Sequence, residues 1–599
     1  MIYHCEDHTC NYWDEGEKLP ERCPQCGRKL LRANEADMTG DDWTALGNTL
    51  WDAEASDKKR MVDCFRKAAY LGSAWGVCNL GICMEQGNGV EADPVQAFWL
   101  YQQAVEMGSL NAVCCLGVCY QYGIGTAPDA KQAAELYCKA AEYGSPRGQM
   151  LLARAFHDGI GVEADAAEAV YWVRAAAYQR YGEGMHRLGV CYEYGDGVEQ
   201  NWERAVHWFR EAAESGVSAA MTDLGYCYEK GCGVEQSWEQ AFSWYRRSAE
   251  CGNPVSMSNL GLCYQMGYGV EQNWQEAIKW YEQGAQCGDL QSMHNLACCY
   301  EGGEGVEQNE DRAFYWYRRS AEGGNGSAMC NLGRCYKRGY GVEQNWQEAV
   351  KWYEQGAQCG NLQSMHNLAC CYEHGEGVEQ NMTEAIRWYT AAAEGGNADD
   401  MYELGWQYDH GEGVEQDMKK AICWYERAAE QNHPAAMNSL GECYAMGRGV
   451  PRDLETAMEW YRRAAELGEA MADYNMGWHL EQAGKLSEAY THYRKAADGN
   501  DDSAWWALGR FYENGVVVAQ DGKEARRCYE TGEKLGSVKC KMRLARCKLL
   551  GIGGRRAKKA GLDLCRQALE LAKESSEKED YGYEAEMNLL RRTIAENES

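Results

Sequence analysis

Proline is scarce in this sequence, and long apolar runs are missing. Eight of the 599 residues are proline, and with a hydrophobic share of 45% this composition argues against a disordered chain. No run of about 18 apolar residues occurs, so we expect no membrane insertion. The first ten residues, MIYHCEDHTC, lack the basic and apolar regions of a signal peptide. These absences predict a protein that is neither exported nor inserted in a membrane.

Basic residues are also in short supply. The chain has 60 Lys and Arg against 91 Asp and Glu, which gives a formal charge of −31. Such a charge repels polyanions, so nucleic acid is an unsuitable partner for the body of the chain. A basic protein or peptide suits it better.

The motifs of common catalytic sites are missing as well. The sequence contains no Gly-X-Ser-X-Gly, no His-Glu-X-X-His and no glycine-rich phosphate loop after a strand. Its repeated Gly-X-Gly-Val stretches are interpreted as helix stops rather than phosphate-binding loops. We therefore predict that the chain is not an enzyme.

Cysteine, by contrast, is abundant, with 30 residues. Disulfide scaffolds are typical of short secreted chains, whereas these cysteines mostly follow an internal repeat. We interpret the main series as small core side chains and predict a reducing, cytoplasmic location. The series comprises Cys83, Cys119, Cys191, Cys227, Cys263, Cys299, Cys335, Cys371 and Cys443.

The repeat is clearest in two nearly identical stretches, 267–309 and 339–381. The copies lie 72 residues apart, and the shorter signature Gly-X-Gly-Val halves that distance to a unit of 36 residues. A Leu-Gly step, sometimes Leu-Ala or Met-Gly, marks each unit. It ends at positions 47, 81, 117, 153, 189, 225, 261, 297, 333, 369, 405, 441, 477, 509 and 545, which gives 15 units.

Each unit is interpreted as two helices joined by a glycine turn. In the unit 218–252, Leu224 and Cys227 belong to an apolar stripe at helical spacing, and Gly231 ends that helix. Ser237 stands where the second helix needs its N-cap, and Tyr245 lies on the apolar side of that helix. A helix pair cannot bury such a face alone, but stacked pairs bury it against each other. The sequence therefore predicts an all-α fold, an α/α solenoid of helix-turn-helix repeats.

The first 33 residues carry a separate pattern, C-x4-C-x12-C-x2-C, formed by Cys5, Cys10, Cys23 and Cys26. Four thiolates in two close pairs suit a tetrahedral structural Zn²⁺ with no open position for catalysis. The pattern resembles the zinc-ribbon and rubredoxin-like family, although its first pair departs from the usual C-x2-C. His8 lies at that shorter distance from Cys5, so a site with His8 in place of Cys10 stays open. We expect a small docking module that zinc folds.

The repeats themselves show a second resemblance. The pattern Leu-Gly-X-Cys-Tyr-X-X-Gly-X-Gly-Val, followed by Ala-X-X-Trp-Tyr and Ala-Ala-X-X-Gly, is similar to the Sel-one-like repeats, 36-residue relatives of tetratricopeptide repeats. The resemblance implies a scaffold that holds peptides or partner domains and is not generally catalytic. On this basis we divide the chain into a zinc ribbon (1–33), a polar linker (34–41), about fifteen repeats (42–578) and a C-terminal capping helix (579–599).

Candidate partner-binding residues follow from the helix order. If that order matches the tetratricopeptide relatives, the first helix of each unit lines the concave face. Aromatic residues beside the Leu-Gly step are then candidates for binding a peptide, although packing against the next unit is an equal alternative. The candidates are Tyr226, Tyr402, Trp406, Tyr474, Trp478, Trp506 and Arg510.

The charge reverses near the end of the chain. Between 534 and 566 there are eleven basic residues and one acid. They suit an acidic or phosphate-rich partner, or simply a polar terminal cap. The patch comprises Lys541, Arg543, Arg546, Arg555, Arg556, Lys558 and Lys559. Our main hypothesis is a cytoplasmic scaffold for protein or peptide partners; the alternative is a nucleic-acid-associated regulator that uses the zinc ribbon and this basic end.

Overall fold

The computed structural model describes residues 2–5, 13–15, 30–33, 35–51, 55–578 and 584–598. It divides into two units, Met1–Gln308 and Asn309–Ser599. In each unit, helices that follow one another in sequence pack against one another in space. The predicted all-α architecture of stacked helix pairs is confirmed.

The first unit begins with a small antiparallel sheet of three strands, β1 (Ile2–Cys5), β2 (Trp13–Glu15) and β3 (Leu30–Ala33). Strand β1 is central, and the order is β2-β1-β3. In the register, His4 lies opposite Trp13, and Cys5 lies opposite Leu30. The end of β1 and the starts of β2 and β3 therefore lie at the same end of the sheet.

A 3-10 helix (Glu35–Asp37) and fifteen α-helices follow among the described residues of the first unit. The α-helices are α1 (Gly40–Thr49), α2 (Ala55–Tyr70), α3 (Ala74–Gln86), α4 (Pro94–Glu106), α5 (Leu110–Tyr122), α6 (Ala130–Glu142), α7 (Pro146–Asp158), α8 (Ala166–Tyr178), α9 (Gly182–Tyr194), α10 (Trp202–Glu214), α11 (Ser218–Lys230), α12 (Trp238–Glu250), α13 (Pro254–Met266), α14 (Trp274–Gln286) and α15 (Leu290–Gly302).

The described part of the second unit has sixteen helices. They are α16 (Glu310–Glu322), α17 (Gly326–Arg338), α18 (Trp346–Gln358), α19 (Leu362–His374), α20 (Met382–Glu394), α21 (Ala398–His410), α22 (Met418–Glu430), α23 (Pro434–Met446), α24 (Leu454–Glu466), α25 (Ala470–Gln482), α26 (Leu486–Asp498), α27 (Asp502–Asn514), α28 (Gly522–Lys534), α29 (Val538–Leu550), α30 (Lys558–Lys578) and α31 (Glu584–Glu598).

The glycine turns explain why each helix pair has the same geometry. Gly231 ends α11 with a φ of 73°, and its N–H donates to the Cys227 carbonyl. Two residues later Gly233 also has a positive φ, and a Cβ there would lie 2.4 Å from the Trp202 carbonyl oxygen. Only glycine permits this approach to the preceding helix pair. The next helix, α12, starts at the predicted N-cap Ser237, whose side chain accepts from the Gln240 N–H.

The core of each repeat is built from small and aromatic residues. Tyr245 of α12 is fully buried, and its ring packs directly against Gly225. A Cβ added at Gly225 would lie 2.6 Å from the nearest ring carbon. The predicted cysteine series is buried as well, from Cys83 in α3 to Cys443 in α23, and its members form no disulfide bonds. Within the described part of the chain, no helix combines the length and apolar character needed to cross a membrane.

Candidate functional site

The first helices of successive pairs lie on the inner side of each unit. In the first unit α3 contacts α5, α5 contacts α7, and α13 contacts α15; in the second unit α17 contacts α19, and α27 contacts α29. No two successive second helices approach each other to the same extent in the described residues. We call the surface of these first helices the inner face, within each unit separately.

Two exposed apolar side chains share one register on the inner face of the first unit. Tyr226 on α11 is 43% exposed, and Leu262, 36 residues later on α13, is 41% exposed. Both directly follow the Leu-Gly step. The ammonium of Lys230 lies 5.9 Å from the Tyr226 ring centroid, which places a cation beside the aromatic face. Tyr226 is therefore accessible to a partner.

In the second unit, α21 carries Tyr402 and Trp406, and both are half-buried. Tyr402 stacks on His433 with 5.0 Å between ring centroids, and burial raises the pKa of its hydroxyl. Trp406 stacks on His410, one helical turn later, at 4.4 Å. Each ring is thus partly covered by its neighbours and keeps one accessible part on the inner face.

Helix α25 carries the next two candidates. Trp478 is 43% exposed and contacts His479 edge to face, with ring centroids 4.7 Å apart. Tyr474 packs against Tyr493 at 5.7 Å, and burial raises its pKa to about 12. The helix therefore presents one exposed and one packed aromatic side chain.

Trp506 and Arg510 on α27 contact each other, because the guanidinium lies 4.6 Å from the indole centroid. Arg510 also pairs with Glu481 of α25 at 3.0 Å. The indole N–H of Trp506 donates to Glu586 of α31 at 3.3 Å. The chain's own last helix therefore covers this end of the inner face.

The predicted basic patch is divided between the interior and the surface. Arg543 and Arg546 are largely buried in ion pairs with Glu513, and Arg543 also pairs with Glu586. Arg556 donates to the Asn597 side chain at 2.6 Å. Lys541 is half-buried, whereas Arg555, Lys558 and Lys559 are exposed. Nucleic acid as a partner stays a hypothesis based on the sequence.

A recurring hydrogen bond in the core was not predicted from the sequence. The buried tyrosine of a second helix donates its hydroxyl to a residue 16 positions earlier on the first helix, as Tyr245 does to Glu229 at 2.8 Å. Tyr137 and Gln121 form the same bond in an earlier repeat, at 2.7 Å. The constant spacing of tyrosine and acceptor was the signal that could have revealed it.

The predicted zinc ligands lie outside the part of the chain whose side chains the structure describes. Cys5 belongs to strand β1 by its backbone, whereas Cys10, Cys23 and Cys26 lie between the described strands. Among the described residues, no group of three or more His, Cys, Asp or Glu side chains is placed to hold a metal ion. The zinc site remains a prediction.

Comparisons with known proteins identify the repeat. The sequence model of the Sel1 repeat matches thirteen stretches, 76–109, 112–145, 146–181, 182–217, 218–253, 254–289, 290–325, 326–361, 362–397, 398–433, 434–469, 470–501 and 504–537. A similar solved structure is c5321, a protective antigen of uropathogenic Escherichia coli with an SLR fold. It is 32% identical with a TM-score of 0.51, over 75% of this chain and 97% of that one.

A second similar structure is a Sel1 repeat protein from Oxalobacter formigenes, 32% identical over 41% of this chain and 99% of that chain, with a TM-score of 0.39. No curated protein matches the chain.

Proposed function

Because the chain belongs to the Sel1 repeat family, we propose that it is a non-enzymatic scaffold that binds a basic protein or peptide on its inner face. Stacked helical repeats form extended surfaces in which each repeat adds a few contact residues. Such surfaces suit the recognition of segments rather than the chemistry of a closed pocket. The acidic character of the chain favours a basic partner.

One row of side chains carries this proposal. Trp406 on α21, Glu442 on α23 and Trp478 on α25 occupy the same register, directly after the Leu-Gly step. Packed helices lie roughly 8–10 Å apart, so the row alternates aromatic, carboxylate and aromatic groups along the inner face. Lysine and arginine side chains bind both kinds of group, by cation–π contact and by ion pairing.

Glu442 is held in position for such a contact. Its Oε1 accepts from the side chains of Asn438 and Asn475, each at 3.1 Å. These bonds fix the carboxylate without neutralising it, and 30% of the side chain remains exposed. Arg448 approaches its Oε2 only to 3.8 Å. A preorganised carboxylate loses less entropy when a cation binds.

The proposal is tested with labelled Lys/Arg-rich peptides and their Lys/Arg→Glu counterparts, by fluorescence polarisation with the full chain. We expect binding of the basic series only, weakening with salt. Trp406→Ala combined with Trp478→Ala is expected to lower the affinity about tenfold, since two cation–π contacts together contribute roughly 1.4 kcal/mol.

Trp99→Ala is the matched control, because Trp99 lies on the second helix α4 and is 64% exposed. Its removal should leave binding unchanged. Equal losses in both variants, or binding of the acidic series as well, would contradict an inner-face site for basic peptides.

We also propose that the N-terminal segment holds a structural zinc ion through Cys5, Cys10, Cys23 and Cys26, as a docking module. The strand register supports this. Cys5 ends β1, and Cys10 lies in the connection from β1 to β2. Cys26 comes four residues before Leu30, which pairs with Cys5. The end of β1 and the start of β3 therefore lie at the same end of the sheet, and each cysteine pair is close in sequence to one of these two points. A shared tetrahedral site requires its ligands to come together in this way.

A further inference from the structure

The buried tyrosines form a regular series, which the repeat of α7 and α8 interrupts inside the array. Each tyrosine normally follows the last residue of the Leu-Gly step by 20 positions and packs against it. Tyr137 fills this place in α6, and Phe209 fills it in α10 with its ring against Gly189. In α8, between them, the residue is Val173. The repeat formed by α7 and α8 therefore lacks the aromatic ring that its neighbours have.

The same repeat also has a different residue at the position that accepts the tyrosine hydroxyl in other repeats. The position of the hydroxyl acceptor, filled by Gln121 one repeat earlier, carries His157. The small residue of the Leu-Gly step is Ala153, which is compatible with a ring because Ala369 and Tyr389 belong to one core cluster elsewhere. The larger side chains of α7 at this place, Met150 and Arg154, line a cavity.

A cavity of about 400 Å³ lies at this point, between α7, α8 and α9. Its floor is apolar and buried, and includes Ala153, Val170, Val173 and Cys191. Its volume falls within the roughly 300–1,000 Å³ of small-molecule sites. The rim contains the side chains of α7 and α9, so the cavity opens on the inner face.

The rim carries hydrogen-bonding groups. His157 contacts Asp158 through Nδ1 at 2.6 Å and Asp196 through Nε2 at 3.3 Å. Arg187 lies 3.8 Å from Asp196, and the contact with His157 lowers the pKa of Asp158. Carboxyl groups thus stand at the mouth of the cavity, and their oxygens can accept a hydrogen bond.

We propose that this cavity binds the tyrosine side chain of a partner peptide. The ring takes the place that the chain's own tyrosine has in the neighbouring repeats, against Ala153 and Val173. The phenol hydroxyl donates to a rim carboxylate, as Tyr245 donates to Glu229. The backbone of the peptide then lies on the inner face. This assignment rests on the proposed function in one respect: the phenol ring is taken to belong to a peptide and not to a free small molecule.

The first experiment uses the full chain and N-acetyl-tyrosinamide, with hydrogen–deuterium exchange as the readout. We expect weak binding, of the order of millimolar for so small a ligand. Protection is expected within 150–158 and 183–196. N-acetyl-phenylalaninamide should bind more weakly and N-acetyl-leucinamide not detectably. Absent protection, protection elsewhere, or equal binding of the leucine amide would overturn the proposal.

Two variants locate the site. Val173→Tyr fills the cavity with the chain's own ring and should weaken binding at least tenfold. Phe209→Tyr is the matched control, because it adds a tyrosine at the same position of the next repeat, where a ring is already present. Persistent binding in a folded Val173→Tyr variant would overturn the assignment. If that variant does not fold, the exchange experiment on the unaltered chain decides.

A tyrosine-containing peptide of about nine residues distinguishes the two sources of a phenol ring. We expect it to bind at least tenfold more tightly than the amide, because flanking residues contact the inner face. Equal affinities would overturn the peptide assignment. If Val173→Tyr leaves the binding of basic peptides unchanged, the proposed scaffold function is still supported. If the amide binds but no peptide binds, the tyrosine pocket is supported and the scaffold function is contradicted.

Discussion

At the scale of single residues, the histidines of the two nearly identical copies of the repeat differ in one neighbouring position. His366 Nδ1 lies 2.7 Å from Asp400 Oδ1, and Asp400 is completely buried. The equivalent histidine 72 residues earlier is His294, and the residue equivalent to Asp400 is Ala328. The bond to Asp400, with a smaller contribution from Cys370, raises the pKa of His366 to about 10.

This pair predicts a pH-dependent stability. The folded-state pKa of about 10 exceeds the ordinary 6.5, so the stabilisation is complete below pH 6.5 and is lost as the pH rises through 10. His366→Gln should lower the free energy of unfolding by about 3 kcal/mol at pH 6, because it leaves Asp400 buried without its cation. Urea denaturation of the variant and the unaltered chain at pH 6 and 10.5 should show this difference shrinking.

His294→Gln is the control, in nearly the same local sequence but with Ala328 in place of the aspartate. Its effect at pH 6 should be smaller, because no buried aspartate loses its partner. If His366→Gln lowers the free energy of unfolding by the same amount at both pH values, the result would contradict the ion pair.

At the scale of elements, the last helix is joined to the repeats by a buried charge network. Arg543 on α29 donates two hydrogen bonds of 2.7 Å to Glu586 on α31. Its side chain is 13% exposed, and that of Glu586 is 8% exposed. Met587 and Leu590 of α31 are buried beside this network. Helix α31 therefore closes the inner face of the last repeat with both charge and apolar contacts.

Glu586→Gln should weaken the packing of α31. The amide keeps the shape but loses the charge-assisted bonds to Arg543, at a cost of about 2 kcal/mol. Hydrogen–deuterium exchange within 584–598 should accelerate accordingly, about thirtyfold. Glu584→Gln, at the exposed start of the same helix, is the control and should leave exchange unchanged. Equal acceleration in both variants would argue against the network.

At the scale of the whole molecule, stacked repeats contact mainly their neighbours, so a local loss should stay local. The N-terminal sheet is at one end of the first unit, where β2 contacts α1. Its three strands are too short to bury a core, so its stability should depend on the proposed zinc. The helices, which have their own core, should not depend on it.

Metal removal tests this. The purified chain is expected to carry one zinc per molecule by elemental analysis, and Cys23→Ser should reduce that content. Cys251→Ser, at an exposed position of the repeats, should not. Chelation should change the far-ultraviolet helical signal little. Zinc content unaffected by Cys23→Ser, or loss of most helical signal on chelation, would contradict a separate zinc module.

Much of the fold follows from local rules, so the sequence predicts it. The end of α11 at Gly231 and the start of α12 at Ser237 depend on backbone groups within one turn, and both were predictable. The cavity at Val173 was harder to predict. Aligning the repeats shows a missing tyrosine, but only the packing of α7, α8 and α9 shows that no other side chain fills the space.

The sequence by itself determined the period, the helix pairs, their caps and the family, because these depend on spacing and on residues close in the chain. The tertiary structure alone decided which candidates are accessible. Trp478 is exposed, Trp506 is covered by Glu586 of α31, and Arg543 is buried in an ion pair. Those outcomes depend on residues up to 80 positions apart, whose proximity no periodic pattern encodes.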